Sequence, residues 1–103
     1  MAKLALTASP TFKSNVQIPV PGKKPVPVEF IFKGRTKTEF QAFIENLRDR
    51  EDVDVILDLA TGWELEEAFG KESLEQMLHS YIGAARAIIE TYINELTAAR
   101  LGN

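Results

Sequence analysis

The chain has 103 residues, of which 45% are hydrophobic and 26% charged, with a formal net charge of −3. That length predicts one domain with a modest core, and the composition excludes both a disordered chain and a membrane-embedded one. No run approaches the about 18 apolar residues that a bilayer span needs, and the first ten residues lack the long apolar centre of a secretory signal, so a cytoplasmic product is expected. With no cysteine, disulfides, thiolate metal sites and a cysteine nucleophile are excluded; His79 is the single histidine, which rules out any site needing two.

The net charge hides an uneven distribution. Residues 1–37 carry seven Lys or Arg against Glu29 alone, a balance of +6, while the remaining residues carry five against fourteen, a balance of −9. A basic front can dock on the acidic rear of the same chain or of a neighbouring copy, which would make a homo-oligomer, or it can simply be solvated. The sharper reading is that one half meets a charged partner.

Residues 1–10, with Leu4 and Leu6 alternating before Ser9-Pro10, read as a loose arm or a short edge strand. Val16, Ile18 and Val20 then alternate with polar or proline positions, and Val26, Val28, Phe30 and Phe32 do so in return, which predicts a β-hairpin. Val20-Pro21-Gly22-Lys23 fits a type II turn, with Pro21 first and Gly22 at the position that needs positive φ. Pro19, Pro21, Pro25 and Pro27 share the parity opposite the valines, so their missing N–H groups fall toward the outer edges and block further strand pairing. The tip is expected to project, with a valine-rich face that needs a cover.

After Gly34 the period becomes helical. Thr36 and Glu39 form a capping-box pair, with Thr38 and Gln41 as the other register, and Phe40, Phe43, Ile44 and Leu47 make the stripe of a helix over 37–49. Residues 52–60 fit both periods; a helix is preferred, with Asp52 as N-cap and Gly62 as its stop. A short connection over 63–69 is anchored by Trp63, Leu65 and Phe69. A further helix opens near Lys71 and places Leu74, Met77, Leu78 and Tyr81 on one face. The longest helical pattern covers 81–100: Tyr81, Ala84, Ala85, Ile88, Ile89, Tyr92, Ile93 and Leu96 fill about half the circumference, an arc wide enough to need at least two neighbours. Gly83 is expected to bend or break its start, and residues 101–103 to fray.

No catalytic constellation survives inspection. Asp52, Asp54 and Asp58 suggest a calcium loop, but Leu57 and Trp63 stand where it needs glycine and glutamate, so these acids read as a solvated helix face. Gly70-Lys71 lacks the first glycine of a phosphate loop, since position 65 is Leu. Ser73 and Ser80 have no nucleophile-elbow context. Lys23, Lys24, Lys33, Arg35 and Lys37 could form a basic strip for nucleic acid, but Phe30 and Phe32 lie at the parity of the buried valines and the total charge is acidic, which argues against it. Trp63 and Phe69 suit either a cap on the core or a protein contact.

The order of these pieces resembles a known family. Pro10-Thr11-Phe12-Lys13 with Val16, Ile18, Pro19 and Pro21-Gly22, then Phe30-x-Phe32-Lys33-x-Arg35-Thr36-Lys37, Gly62-Trp63 and the closing Ala99-Arg100-Leu101-Gly102-Asn103 are similar to the tail assembly chaperones of long-tailed bacteriophages and prophages. Tyr81-Ile82-Gly83-Ala84-Ala85 looks like the family's Tyr-Pro-Gly-Ala break, with Ile82 in place of proline, which leaves open whether the helix breaks there. The resemblance implies a non-enzymatic protein of the bacterial cytoplasm that binds the phage tape measure protein and recruits major tail tube subunits around it, without cofactor, metal or membrane.

The fold expected is α+β: an N-terminal antiparallel β-hairpin or small sheet within residues 1–34, followed by about four α-helices within 35–103. Trp63, Phe69, Tyr81 and Ile82 are the candidate partner-binding residues, chosen for their apolar, junctional positions. A structural virion or head–tail component and a small nucleic-acid-binding regulator are the alternatives.

Overall fold

The computed structural model describes residues 4, 6, 7 and 10–97. The expectations for most of the N-terminal arm and for the closing residues 98–103 lie outside the described residues. Strands β1 (Thr11–Ile18) and β2 (Val26–Lys33) form the hairpin, followed by helices α1 (Lys37–Glu45) and α2 (Asp52–Leu59), strand β3 (Ala60–Trp63), and helices α3 (Lys71–Ser80) and α4 (Ala84–Thr97). The fold is α+β, with an antiparallel sheet of order β1-β2-β3 and four helices.

The hairpin follows from its pattern. Val16 faces Val28 and Ile18 faces Val26 across the pair, so the apolar residues of both strands lie on one face of the sheet. Val16, Phe30 and Phe32 are wholly buried, each worth about 1.5–3 kcal/mol relative to exposure. The other face, with Lys13, Asn15 and Gln17, is exposed. At the tip the Lys23 N–H donates to the Val20 carbonyl at 3.0 Å and Gly22 has φ of 77°, the type II turn that Pro21-Gly22 predicts.

Helix α1 starts where the capping box places it: the Thr36 hydroxyl accepts from the Glu39 N–H at 3.2 Å, and the Glu39 carboxylate accepts from the Thr36 N–H at 2.8 Å. It ends four residues before the expected 49. The Asn46 side-chain amide takes the Ala42 carbonyl at 3.0 Å, and the Leu47 N–H turns back to Ile44, which closes the last turn.

Helix α2 replaces the ambiguity at 52–60, with two corrections. Asp52 is its first residue, the N-cap position falling to Glu51, which makes no side-chain cap bond. Gly62 is not a helix stop: the chain passes at Ala60 straight into β3, pairing Trp63 with Phe30 and Gly62 with Ile31. A Cβ on Gly62 would lie 3.4 Å from Ile31 Cδ1, an ordinary van der Waals distance, so this position does not depend on glycine for space. The reason for the strand is non-local, since β2 offers an open edge that the periodicity of 52–60 does not register.

The long C-terminal helix begins at Ala84, directly after the break expected at Gly83, so Tyr81 of the apolar pattern falls before it. Tyr81 caps α3, its N–H bonded to Met77 at 2.9 Å, and the chain breaks over residues 81–83 before the Ala84 N–H returns to Tyr81. That settles the Ile82-Gly83 junction as a break. Ala84, Ala85, Ile88 and Tyr92 are buried, and α4 packs on β1 and α2, the two neighbours that its wide apolar arc requires. Tyr92 is the hub of the core, with ring centroids of Phe32 at 5.4 Å, Phe43 at 5.6 Å and Phe12 at 6.1 Å.

Candidate functional site

Two concave regions stand out among the described residues. The larger, a groove of about 380 Å³, opens at the hairpin tip. Ile18, Val20, Val26 and Val28 make its hairpin wall, Met77, Ser80 and Tyr81 its α3 wall, and Trp63, Leu65 and Glu67 the connection between them. The alternation of the hairpin explains the first wall: its valine face is covered by helices toward the sheet's open end and left partly open at the tip, where Val26 is 49% exposed.

Trp63 is pinned rather than free. Its indole N–H donates to the Glu67 carbonyl at 2.7 Å, and its ring meets Phe30 and Phe69 edge-on, at 5.8 and 5.2 Å. The Glu64 N–H bonds the Glu29 carbonyl at 3.0 Å, while its carboxylate accepts from the Glu29 N–H at 2.8 Å, so the connection is tied to β2 just before it enters the groove. The junction after α3 approaches the tip closely: a Cβ on Gly83 would stand 3.0 Å from Pro19 Cγ, so a larger residue there would require the Pro19 ring or the turn to give by a few tenths of an ångström.

Of the four candidate residues, Trp63 and Tyr81 line the groove together. Ile82 follows Tyr81 at the rim, 93% exposed. Phe69 stands behind Trp63, packed against the core and outside the groove lining. The valines of the hairpin, Leu65 and Met77 were missed. The signal for the valines was present, in a valine-rich face wanting a cover, but only the packing shows that its cover is incomplete.

The second region, about 260 Å³, lies beside α1 and is built on charge. Arg35 donates to the Tyr92 hydroxyl at 2.7 Å and pairs with the Asp58 carboxylate at 3.0 Å, its guanidinium 4.5 Å over the Phe43 ring. Arg50 holds the other Asp58 oxygen at 2.9 Å. Burial pushes the Asp58 carboxyl up, but the Arg50 hydrogen bond and the charges of Arg35, Arg50 and Lys33 outweigh it and hold the group below its ordinary value. Burial also raises the Tyr92 phenol, against the opposing Arg35 bond, so it stays protonated and donates to the Lys33 carbonyl at 2.8 Å. Two expectations change here. Asp58 is not a solvated acid on a repelling helix face, and Arg35 leaves the basic strip to lock β2, α2 and α4 together. With both arginines engaged on Asp58 and Arg35 also bonded to Tyr92, this region serves the fold.

Among the described residues no group of three metal-ligating side chains gathers, and no helix is long and apolar enough to cross a membrane. His79 is exposed on α3. The Ser73 hydroxyl is engaged at the helix start, accepting from the Gly70 N–H at 3.1 Å and donating to the Ala68 carbonyl at 2.7 Å.

The larger concavity of this α+β protein is apolar and open, and the charged cluster lies elsewhere. A family model described as phage tail assembly chaperone matches residues 1–103, and the chain belongs to that family. Its general role is therefore that of a tail assembly chaperone. No curated protein and no solved structure matches the chain.

Proposed function

We propose that the protein holds an apolar segment of the tape measure protein in the groove at the hairpin tip and brings major tail tube subunits to it in the host cytoplasm, leaving before the particle is complete. The observation that carries this reading is the open groove itself, walled by valines, Met77 and Tyr81 and bordered by the exposed Ile82. An unassembled tail protein presents apolar surface that water would drive into aggregates, and a groove of this kind can cover it reversibly. Trp63, Tyr81 and Ile82 are assigned to the partner surface, and Phe69 supports Trp63 from behind.

The test is co-expression of the tagged chain with the tape measure and tube proteins encoded beside its gene. The expected result is soluble tape measure protein recovered with the wild-type chain and lost with Met77→Asp or Ile82→Asp. Recovery of the chain in purified particles, with no tape measure protein held, refutes the proposal in favour of a structural virion component.

A further inference from the structure

The sheet ends on two unequal edges. β3, on one side, has four residues, the short form in which exposed edges are commonly protected. β1, on the other, has eight, with no proline, glycine or bulge along its pairing with β2. Its outward groups follow from the rungs. The Gly34 N–H bonds the Pro10 carbonyl at 2.9 Å, so every second rung after that one, Phe12 with Phe32, Ser14 with Phe30 and Val16 with Val28, is hydrogen-bonded to β2. Lys13, Asn15 and Gln17 stand on the rungs between, and their N–H and carbonyl groups point away from the sheet. Glu29 gives the same phase: opposite Asn15, it turns its own N–H and carbonyl the other way, to Glu64.

Among the described residues no hydrogen bond reaches these outward groups, and although α4 packs on β1, Lys13, Asn15 and Gln17 all stay exposed. An unpaired edge of this length is a template for another strand. Its side chains fit a copy of itself. A second β1 turned about a two-fold axis at Asn15 runs antiparallel to the first and sets Asn15 against Asn15 and Lys13 against Gln17, the one placement that uses all three outward residues against one another. Each of these rungs is hydrogen-bonded, since both of its residues point their groups outward. An asparagine amide both donates and accepts, so it is its own complement; the lysine ammonium, which only donates, meets the glutamine carbonyl oxygen. No lysine faces a lysine. The same rotation keeps the faces in phase: Phe12, half-buried at the end of its row, comes opposite Ile18, and the apolar rows of the two sheets join.

We propose that β1 is a homodimer edge, which pairs antiparallel with β1 of a second copy about an axis at Asn15 and joins the two sheets into one, with three strands from each copy. The two hairpin tips then point to opposite ends of the joined sheet. The dimer does not rest on the client reading.

The experiment is sedimentation equilibrium on the chain alone, with no tail protein present, joined to cross-linking through single cysteines. The wild type is expected to dimerise. Asn15→Pro removes an N–H that β2 does not use, so the hairpin should survive while the dimer weakens at least about tenfold, two hydrogen bonds being lost at the axis. Gln17→Lys puts a lysine opposite Lys13 in both outer rungs and should weaken the dimer about threefold or more, whereas Gln17→Glu puts a carboxylate there and should tighten it by a similar factor. The chain has no cysteine, so a disulfide in a single-cysteine variant joins two copies. Asn15→Cys should cross-link on mild oxidation, its Cα atoms being about 5.5 Å apart in a hydrogen-bonded rung. Lys13→Cys, roughly 14 Å from its counterpart, should not link to itself but should link to Gln17→Cys when the two are mixed. Circular dichroism checks that the variants remain folded, and the exposed Gln17 position keeps the test decisive if Asn15→Pro does not. A wild type that stays monomeric at all concentrations overturns the proposal. A dimer that Gln17→Lys and a folded Asn15→Pro leave unchanged, or one in which Lys13→Cys links to itself and Asn15→Cys does not, overturns it as well.

Discussion

Replacing Tyr92 with Phe tests whether the charged cluster beside α1 organises the fold. The change keeps the ring and its contacts with Phe12, Phe32 and Phe43, and removes only the hydroxyl. That oxygen accepts from the Arg35 guanidinium at 2.7 Å and donates to the Lys33 carbonyl at 2.8 Å, on a residue with no exposed surface. A hydrogen bond to a charged group contributes about 1.5–3 kcal/mol and a neutral one about 0.5–1.5, so the expected loss is about 2–4 kcal/mol. At this chain length that lowers Tm by roughly 10–20 °C. Urea unfolding followed by circular dichroism measures the change directly, with the slope of the transition unchanged. Combining Tyr92→Phe with Arg35→Met should give less than the sum of the two losses by about 1 kcal/mol or more, because they share a bond. A loss below about 0.5 kcal/mol, or full additivity, would show that the hydroxyl is solvated in both states and that the network contributes little.

Three further outcomes are expected. Asp58 has a folded-state pKa below its ordinary 3.8, so the stability it contributes is complete above that pH and is lost as pH falls through the folded value; the stability gap between wild type and Asp58→Asn should therefore be largest near neutrality and shrink below pH 3.8, and a gap independent of pH would refute the ion pairs. Thr36→Ala should lose about 1 kcal/mol by denaturant titration through loss of the α1 N-cap. Gly83→Ala drives a methyl to 3.0 Å from the rigid Pro19 ring and should cost about 1–3 kcal/mol, whereas Gly70→Ala, with open space at its Cβ and extended backbone, should stay within about 0.5 kcal/mol.

Local chemistry was legible wherever one short stretch contained both partners of an interaction. The hairpin, its Pro21-Gly22 turn, the Thr36–Glu39 box and the apolar arc of α4 each follow from residues a few positions apart, and each stands in the structure as the pattern implies. Where the deciding partner is distant, the pattern misleads or is silent. Ala60 and Gly62 read as the end of a helix because nothing nearby announces the open edge of β2. Arg35 reads as one more basic residue because its partners, Asp58 and Tyr92, lie 23 and 57 positions away. The same holds for the candidate site: Tyr81 and Ile82 were legible as apolar residues at a break, but the hairpin valines join them only through the fold.

By itself, then, the sequence determined the α+β class, the hairpin, the helical faces and the family, since these rest on period, turn chemistry and the order of motifs. Only the tertiary structure decided that a third strand follows α2, that Asp58 is held by two arginines, and that Trp63 and Tyr81 border one groove with the hairpin tip. The physical reason is that strand pairing, charge matching and concavity depend on which surfaces meet, and that is set by contacts between residues far apart in the chain.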